Sequence, residues 1–498
     1  MLTELLDSVL GRFARFSQRF AVWHRWPFLL ALAAVIGHRV NLRRNNLIDT
    51  ETGDMDASPP DDFDITGWRA PDGRFNDLAE PRMGSAGARF GRNVPISETY
   101  PPNDHDLMDP SPRLVSERLL KRTELAPVPH LNVHAAAWIQ FMVHDWLSHG
   151  ANNKDADPYE VPLPVGDTWP GGRMRVLRTM PDGEVNDTDK DRPPTFRNTE
   201  TSWWDGSQIY GSSMARLNQI RTGKQRSKPK TAEIHLENGH LPVDTASKRQ
   251  GQELAGVNGN WWIGLSVLHT LFAREHNAIV ARLRIDYGNE SEDWLFHKAR
   301  LVNAALMAKI HTVEWTPALM DSPEGRMAMR GNYWGLMGET VFNAFGRVSD
   351  SEVVSGIPGS PQDQHGAPYE MTEEFGAVYR LHSLMPDEFS FRSLAVDSAI
   401  RDANLTEVAG PGARALYDDV SFEDTVYSLA TSNPGALVLN NFPETLRRID
   451  KKPEENIFLD LAAVDILRDR ERGIPRYKAF REAIGAKPPE SFADITTD

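Results

Sequence analysis

Two short apolar segments, each carrying one histidine, place the strongest constraint on how this chain can fold. The first is Ala137-Trp-Ile-Gln-Phe-Met-Val-His144-Asp-Trp146, and the second, about 240 residues later, is Val378-Tyr379-Arg-Leu-His382-Ser-Leu-Met-Pro386-Asp387. Neither shows the alternation of a strand, and both predict buried helices. If the two histidines serve one site, the fold must bring these distant helices together.

Helical patterns dominate the rest of the chain. They predict helices at about 131–148, 260–286, 293–316, 368–384, 422–430 and 457–484. Residues 46–128 and 150–250 are rich in Pro, Gly, Asp and Asn, and long loops of this kind usually carry function or bind ions. With 498 residues the chain can bury a large core. The predicted fold class is mainly α, with one large domain at 46–498, long irregular loops and few short strands.

Charge and cysteine content exclude several functions. The formal net charge is −15, which argues against a nucleic-acid partner. The chain has no cysteine, and this excludes disulfides, thiolate-ligated haem and cysteine-held iron–sulfur clusters. A cysteine-free chain also favours a cytoplasmic location over secretion.

Residues 1–45 differ from the rest. The first 44 residues contain seven arginines, no lysine and two acidic residues, and leucines and phenylalanines recur from Leu2 to Phe20 at helical spacing. The next apolar run, Trp26 to Gly37, is shorter than the ~20 residues that span a bilayer. Basic amphipathic helices can lie in a membrane interface. The sequence is compatible with two interpretations of residues 1–45: a peripheral membrane contact, or a pair of helices docked on the protein body.

The first histidine helix places Gln140 and His144 on one face, four residues apart. A neutral imidazole and an amide could there bind or polarise O₂ or a peroxide. The alternative is a core histidine with a satisfied hydrogen bond, and this helix alone favours the alternative.

The second segment places Tyr379 and His382 three residues apart, with Cβ atoms roughly 5–6 Å apart if the helix continues. If His382 were an axial haem ligand, Tyr379 would lie near the porphyrin, where it could be oxidised to a radical. The alternative is a buried pair in a core helix that ends at Pro386. The spacing does not decide between them.

These two segments, read with Leu271-Phe-Ala-Arg-Glu-His276-Asn277, resemble the animal haem peroxidase superfamily, and within it the fatty-acid α-dioxygenases, bacterial type included. The resemblance covers residues from about 20 to the end. It implies haem b, with His144 as the distal histidine, Gln140 beside it, His382 as the iron ligand and Tyr379 as the radical tyrosine. His276 is expected to be structural.

A possible calcium loop follows at Thr201-Ser-Trp203-Trp-Asp205-Gly-Ser207. Side-chain oxygens at 201, 205 and 207 and a carbonyl at 203 could supply part of the six to eight oxygens that Ca²⁺ binds, with Asp145 as a further carboxylate. The alternative is a polar turn, because Asp-Gly is a common turn pair. The resemblance implies a structural Ca²⁺ on these residues, tying the loop to the helix of His144.

The resemblance also implies that His311 and Thr316 hold a fatty-acid carboxylate. Burying a carboxylate requires charge or several donors, so His311 is expected as an imidazolium when substrate is bound. The alternative is that both residues cap a helix. In the family an arginine completes this anchor from a C-terminal segment, and no residue of this chain aligns with it.

The function implied is therefore that of a haem-dependent fatty-acid α-dioxygenase. The Tyr379 radical would take the hydrogen next to the substrate carboxylate and O₂ would add there, giving a 2-hydroperoxy fatty acid, an oxylipin. The expected partners are fatty acid, O₂ and peroxide. The alternatives are an H₂O₂-dependent haem peroxidase, or an inactive truncated protein that binds haem or lipid.

Overall fold

The computed structural model describes residues 2–48, 63–183, 191–224, 229–245, 251–361, 367–452 and 457–495. Within these ranges the protein is mainly helical. The helices are α1 (Leu2–Ser17), α2 (Phe28–Asn45), α3 (Asp104–Leu107), α4 (Pro112–Val115), α5 (Val133–Trp146), α6 (Ser207–Tyr210), α7 (Met214–Thr222), α8 (Ile263–Asp286), α9 (Glu292–Ile310), α10 (Thr316–Leu319), α11 (Pro323–Trp334), α12 (Glu339–Phe345), α13 (Glu352–Ser355), α14 (Glu373–Val378), α15 (Pro411–Ala415), α16 (Phe422–Thr431), α17 (Glu444–Arg447), α18 (Leu461–Glu471) and α19 (Tyr477–Ala483).

The strands form three small antiparallel ribbons, each of two neighbouring strands. They are β1 (Tyr159–Val161) with β2 (Met174–Val176), β3 (Glu388–Arg392) with β4 (Ala399–Asn404), and β5 (Ile449–Lys452) with β6 (Ile457–Leu459). In the first ribbon Tyr159 pairs with Val176, and in the second Glu388 pairs with Asn404. The predicted fold class, mainly α with long loops and few short strands, is confirmed.

The core is built around α5, which packs against α8, while α8 packs against α9. Helix α5 is apolar on nearly all sides, and Trp138, Phe141 and Trp146 are buried. Fully burying a large apolar side chain contributes roughly 1.5–3 kcal/mol, so a helix of this kind is stable only inside the molecule. The hydroxyl of Ser291 starts α9 by accepting a hydrogen bond from the backbone N–H of Trp294 at 3.1 Å.

Helices α1 and α2 form a tight hairpin. Gly37 lets them approach closely, because a Cβ at this position would lie 2.2 Å from the carbonyl oxygen of Leu10. The hairpin rests on α11, where the Arg39 guanidinium donates to the carbonyl of Gly331 at 3.2 Å. In the part of the chain that the structure describes, no helix is both long enough and apolar enough to cross a bilayer.

Two predicted helices differ from the structure. The helix predicted at 368–384 is wrong beyond Val378: α14 ends there, and His382 begins a separate 3₁₀ turn, His382–Leu384. The physical reason is tertiary, because side chains of this turn are held by α18. The helix predicted at 457–484 is divided into β6, α18 and α19, whereas those predicted near 131–148, 260–286, 293–316 and 422–430 are confirmed.

Candidate active site

Gln140 fastens α5 to the start of α8. Its side-chain carbonyl accepts a hydrogen bond from the indole N–H of Trp262 at 2.8 Å, and its amide donates to the carbonyl of Asn260 at 3.1 Å. Both polar ends of Gln140 are therefore already engaged. Its contacts position α5 and, one turn further on, His144.

His144 is neutral at physiological pH. Burial lowers its pKa to about 4. Its Nδ1 is buried and has no hydrogen-bond partner among the described residues. A neutral imidazole with an unpaired buried nitrogen can accept a proton from a ligand held beside it, and this chemistry suits a distal histidine.

His382 lies in the 3₁₀ turn that packs against α5. Its Nδ1 is 2.9 Å from a carboxylate oxygen of Asp465 on α18, and its side chain is one-third exposed. With Nδ1 facing a carboxylate, Nε2 is the nitrogen left for a metal, which is the usual arrangement of a metal-binding histidine. The residues around His382 therefore fit a histidine that would hold haem iron through Nε2.

Tyr379 does not share a helix face with His382 as predicted, because α14 ends at Val378, before both residues. Its ring stacks on Phe375 at 4.3 Å, meets Trp146 edge-on at 6.0 Å and lies 6.3 Å from the ring of His311. Burial raises its pKa, so the phenol keeps its proton. The structure therefore brings Tyr379 and the predicted carboxylate anchor together across about 70 residues of sequence.

His311 sits in an aromatic cage in the π-helical turn His311–Trp315. Its ring stacks on Trp315 at 4.8 Å and meets Trp146 and Trp204 edge-on at 5.0 and 5.5 Å. The indole N–H of Trp138 donates to its Nδ1 at 3.2 Å. Burial lowers the pKa of His311 to about 4, and no described charged side chain contributes to that shift. The hydrogen bond from Trp138 and the burial of the ring both favour the neutral imidazole of His311 over the expected imidazolium.

Thr316 is engaged with the backbone. Its hydroxyl donates to the carbonyl of His311 at 2.8 Å, as a residue that caps a helical turn does. Its single proton is therefore used, and the hydroxyl can only accept a further hydrogen bond in this rotamer. The structure places Thr316 beside His311, and its role as a substrate ligand stays a prediction.

The residues of the predicted calcium site also converge. All five are buried: Asp145, Thr201, Trp203, Asp205 and Ser207. The Ser207 backbone N–H donates to Asp145 at 2.5 Å, and the Thr201 hydroxyl lies 3.3 Å from both Asp205 and the Trp203 carbonyl. Burial, with the nearby charge of Asp205, raises the pKa of Asp145 to about 8. The described residues hold no cluster of three or more His, Asp or Glu side chains arranged for a metal ion.

Two further side chains had weaker signals in the sequence. Trp315 lies four residues after His311, a spacing that predicts contact in a helix. Asp465 carries no local signal, because its contact with His382 spans more than 80 residues. His276 is engaged at both ring nitrogens, by the Tyr210 hydroxyl at 2.9 Å and the Ala232 carbonyl at 3.0 Å, as expected of a structural histidine.

Comparison with known proteins places this arrangement in context. The family model described as "Animal haem peroxidase" matches residues 68–498. The alpha-dioxygenase PIOX of Pisum sativum is 31% identical over 99% of this chain and 76% of its own length. The crystal structure of fatty acid alpha-dioxygenase from Arabidopsis thaliana superposes with a TM-score of 0.82 at 31% identity, covering 99% of this chain and 76% of that one. A variant of the Oryza sativa enzyme, solved with palmitic acid, gives 0.81 at 31% identity, covering 99% and 80%.

Proposed function

The chain belongs to the animal haem peroxidase family, and from this we propose that it is a haem-dependent oxidoreductase acting as a fatty-acid α-dioxygenase. The observation that carries the proposal is the cluster of Tyr379, His311 and Trp146, with the His382 turn directly after Tyr379. A plain peroxidase has no need of a tyrosine beside a head-group site. The alpha-dioxygenase names of the relatives and the palmitic acid of the Oryza sativa structure support a fatty acid as substrate.

The residues divide the work as follows. His382 would hold haem b through Nε2, with Asp465 at its other nitrogen. The haem, when bound, supplies the one-electron oxidising power. His144, neutral because it is buried, accepts a proton from the peroxide that starts the reaction and returns it, as a general acid–base.

Tyr379 carries the radical chemistry. After losing one electron and its phenolic proton, it takes a hydrogen atom from the carbon next to the substrate carboxylate. O₂ adds to that carbon radical, and the resulting peroxyl radical takes the hydrogen back from Tyr379. The product is a 2-hydroperoxy fatty acid and the tyrosyl radical is restored. Only a head group fixed near Tyr379 can select this one methylene, and His311, 6.3 Å away, is placed to fix it.

Oxygen uptake tests the proposal. The haem-loaded protein, given palmitic acid and a trace of peroxide, is expected to consume O₂ in large excess over the peroxide. Tyr379→Phe should abolish uptake and retain the haem spectrum, while Tyr477→Phe, at an exposed tyrosine, should behave as wild type. Full uptake by Tyr379→Phe would reject the tyrosyl mechanism. Oxidation of small donors by H₂O₂ without O₂ uptake would instead establish the peroxidase alternative.

We also propose a structural Ca²⁺ ion between α5 and the loop 201–207. The support is the convergence of buried oxygens and the raised pKa of Asp145, a buried carboxyl group whose ionised form a cation would stabilise. Asp205 accepts from Arg69 at 3.1 Å and from Asn76 at 2.8 Å, so the ion would share this carboxylate.

Chelation tests the calcium site. EDTA is expected to lower the melting temperature by several degrees, and added Ca²⁺ should restore it, because a ligand that binds only the folded state stabilises it. Asp205→Asn should remove this response, whereas the exposed control Asp418→Asn should keep it. The site would be excluded if neither EDTA nor Ca²⁺ changes the melting temperature of the wild-type protein and no Ca²⁺ is retained on dialysis.

The α1–α2 hairpin is the proposed membrane contact, on the cytoplasmic side that the absence of cysteine favours. Phe16, Phe20 and Leu29 are 56%, 64% and 72% exposed. Arg15 and Arg19 are exposed along the same helix end. Exposed aromatics among arginines are typical of helices that lie in an anionic membrane surface.

A further inference from the structure

One arginine ties the Tyr379–His382 turn to α18. Nη1 of Arg380 donates to the backbone carbonyl of Asp465 at 2.8 Å and lies 2.8 Å from a carboxylate oxygen of Asp469. The same nitrogen is 3.5 Å from one carboxylate oxygen of Asp465, whose other oxygen is 2.9 Å from Nδ1 of His382. The Asp465 carboxylate therefore lies between the arginine and the histidine.

The partners of Arg380 are positioned by α18 itself. Asp465 and Asp469 are four residues apart and share one helix face. Asp460 caps the start of α18 by accepting the backbone N–H of Ala463 at 3.0 Å. Ala463 and Leu467 are fully buried on the opposite face, which fixes the rotation of the helix. The two carboxylates are thus held at fixed positions before the turn packs against them.

The charges in this cluster are partly buried. The side chains of Arg380 and Asp465 are 18% and 19% exposed, so solvent screens their interaction only weakly. Two carboxylates contact the Arg380 guanidinium, and the carboxylate of Asp465 places negative charge beside His382. Glu373, on the adjacent helix, pairs with His149 at 2.9 Å. The charge of Arg472 also acts on Asp465 and Asp469, but among the described residues it is Arg380 that forms ion pairs with both aspartates.

Resting on the proposed role of His382 as haem ligand, we propose that Arg380 is a positioning residue. Clamped by Asp465 and Asp469, it fixes the turn that carries both Tyr379 and His382, and it moderates the negative charge that Asp465 places on the His382 imidazole. Groups that contact the outer nitrogen of a ligating histidine orient the ring and adjust the metal's reduction potential. Arg380 acts one step further out, through Asp465.

The proposal predicts shifts of opposite sign. Arg380→Gln removes a positive charge near the ligand, which favours the ferric state, so the midpoint reduction potential of the haem should fall. Asp469→Asn removes a negative charge from the other side of Arg380, so the potential should rise. Arg380→Lys keeps the charge and should lie close to wild type. A loss of packing alone would not give opposite signs.

The experiment is spectroelectrochemistry of the haem-loaded full chain, with melting temperature and the rate of haem loss measured alongside. Arg392→Gln is the matched control, because Arg392 is more exposed and pairs with Asp397 at 2.7 Å on a surface ribbon. It should leave the potential unchanged. If Arg380→Gln loses its haem while Arg380→Lys retains it, the result supports the role of the Arg380 ion pairs in positioning the turn. Asp469→Asn then still tests the effect of charge on the reduction potential.

Shifts of the same sign in Arg380→Gln and Asp469→Asn, or no shift in either, would overturn the proposal. His382→Ala separates this outcome from failure of the proposed function. If that variant keeps a wild-type haem spectrum, His382 is not the ligand and the haem assignment fails. If it loses the spectrum while the Arg380 and Asp469 variants show no shift, the haem assignment stands and the role of Arg380 is rejected.

Discussion

At the scale of single residues, His311 shows how strongly its surroundings restrict its chemistry. Nδ1 already accepts the indole N–H of Trp138, so protonation there would require breaking that hydrogen bond. Burial acts in the same direction and lowers the pKa to about 4. In the ligand-free protein at neutral pH the ring is a neutral donor through Nε2.

The affinity for fatty acid is therefore expected to fall as pH rises. A carboxylate brought beside a neutral, buried histidine is stabilised by taking up one proton, whether the histidine or the carboxyl group holds it. Below the His311 pKa of about 4 the free protein already carries this proton; above it, binding must take the proton from solvent. The Kd for palmitate should rise by up to about tenfold per pH unit between roughly pH 6 and 8.

Calorimetry with the non-reacting Tyr379→Phe variant measures this dependence. Titrations in two buffers of different ionisation enthalpy report the proton taken up. The methyl ester of palmitic acid is the control, because it brings no carboxylate and should bind with a pH-independent Kd. A flat profile for the acid, without proton uptake, would show that a fixed cation holds the head group.

The sequence predicted candidate site residues only where they belong to a recognisable motif. The resemblance named Tyr379, His311 and His382, and the structure gathers the first two. The indole of Trp204 and the carboxylate of Asp465 were not predicted, because each reaches its partner across a long stretch of sequence. Local spacing holds no information about such contacts.

At the scale of elements, predictions succeeded where apolar periodicity alone decides the structure. Helix α5 and the N-terminal half of α8 are largely buried, and burial favours the conformation that the pattern predicts. The helix prediction was wrong for the segment after α14, where polar contacts and not apolar periodicity decide the conformation. Its polar side chains, Arg380 and His382, find partners on α18, and those contacts outweigh local helix propensity.

The α1–α2 hairpin offers a test of element packing. Gly37→Val would force side-chain atoms against the backbone of Leu10, where even a Cβ lies at 2.2 Å. Overpacking of this kind typically costs about 1–3 kcal/mol. We expect a lower melting temperature and faster amide exchange within α1. The control Gly183→Val, where a Cβ meets no atom within 4 Å, should change neither. Unchanged exchange in α1 would show that the hairpin is not closely packed.

At the scale of the whole molecule, the mainly α domain was predictable from the scarcity of strand patterns and the length of the loops. The relation between the two ends of the chain was not. Asn46, just after α2, donates to the carbonyl of Ala483 at 3.2 Å, and Lys487 donates its backbone N–H to Gln18 at 3.2 Å. Only the folded chain brings these segments together, so the hairpin is part of the protein body and still exposes apolar side chains.

Membrane binding is the prediction that belongs to this scale. Vesicles containing anionic phospholipid should sediment the protein at low salt, and neutral vesicles should bind it more weakly, because each arginine near an anionic surface contributes about 1 kcal/mol. Phe16→Ser with Phe20→Ser should abolish sedimentation. Leu394→Ser with Val396→Ser, at similarly exposed positions away from the hairpin, should not. Equal sedimentation of both double variants would reject the hairpin as the membrane contact.

The hydrogen bond from Trp138 to Nδ1 of His311 also makes the head-group site a hydrogen-bond donor, through Nε2–H. The neutral ring can present only a donor to a ligand, so the site distinguishes molecules by what their head group accepts. Hydroxamates and sulfonates with a long alkyl chain should act as competitive inhibitors, whereas alkyl ammonium compounds of the same length, which have no lone pair to offer, should not. Inhibition constants for a series of compounds that differ only in the head group would measure this preference for hydrogen-bond acceptors.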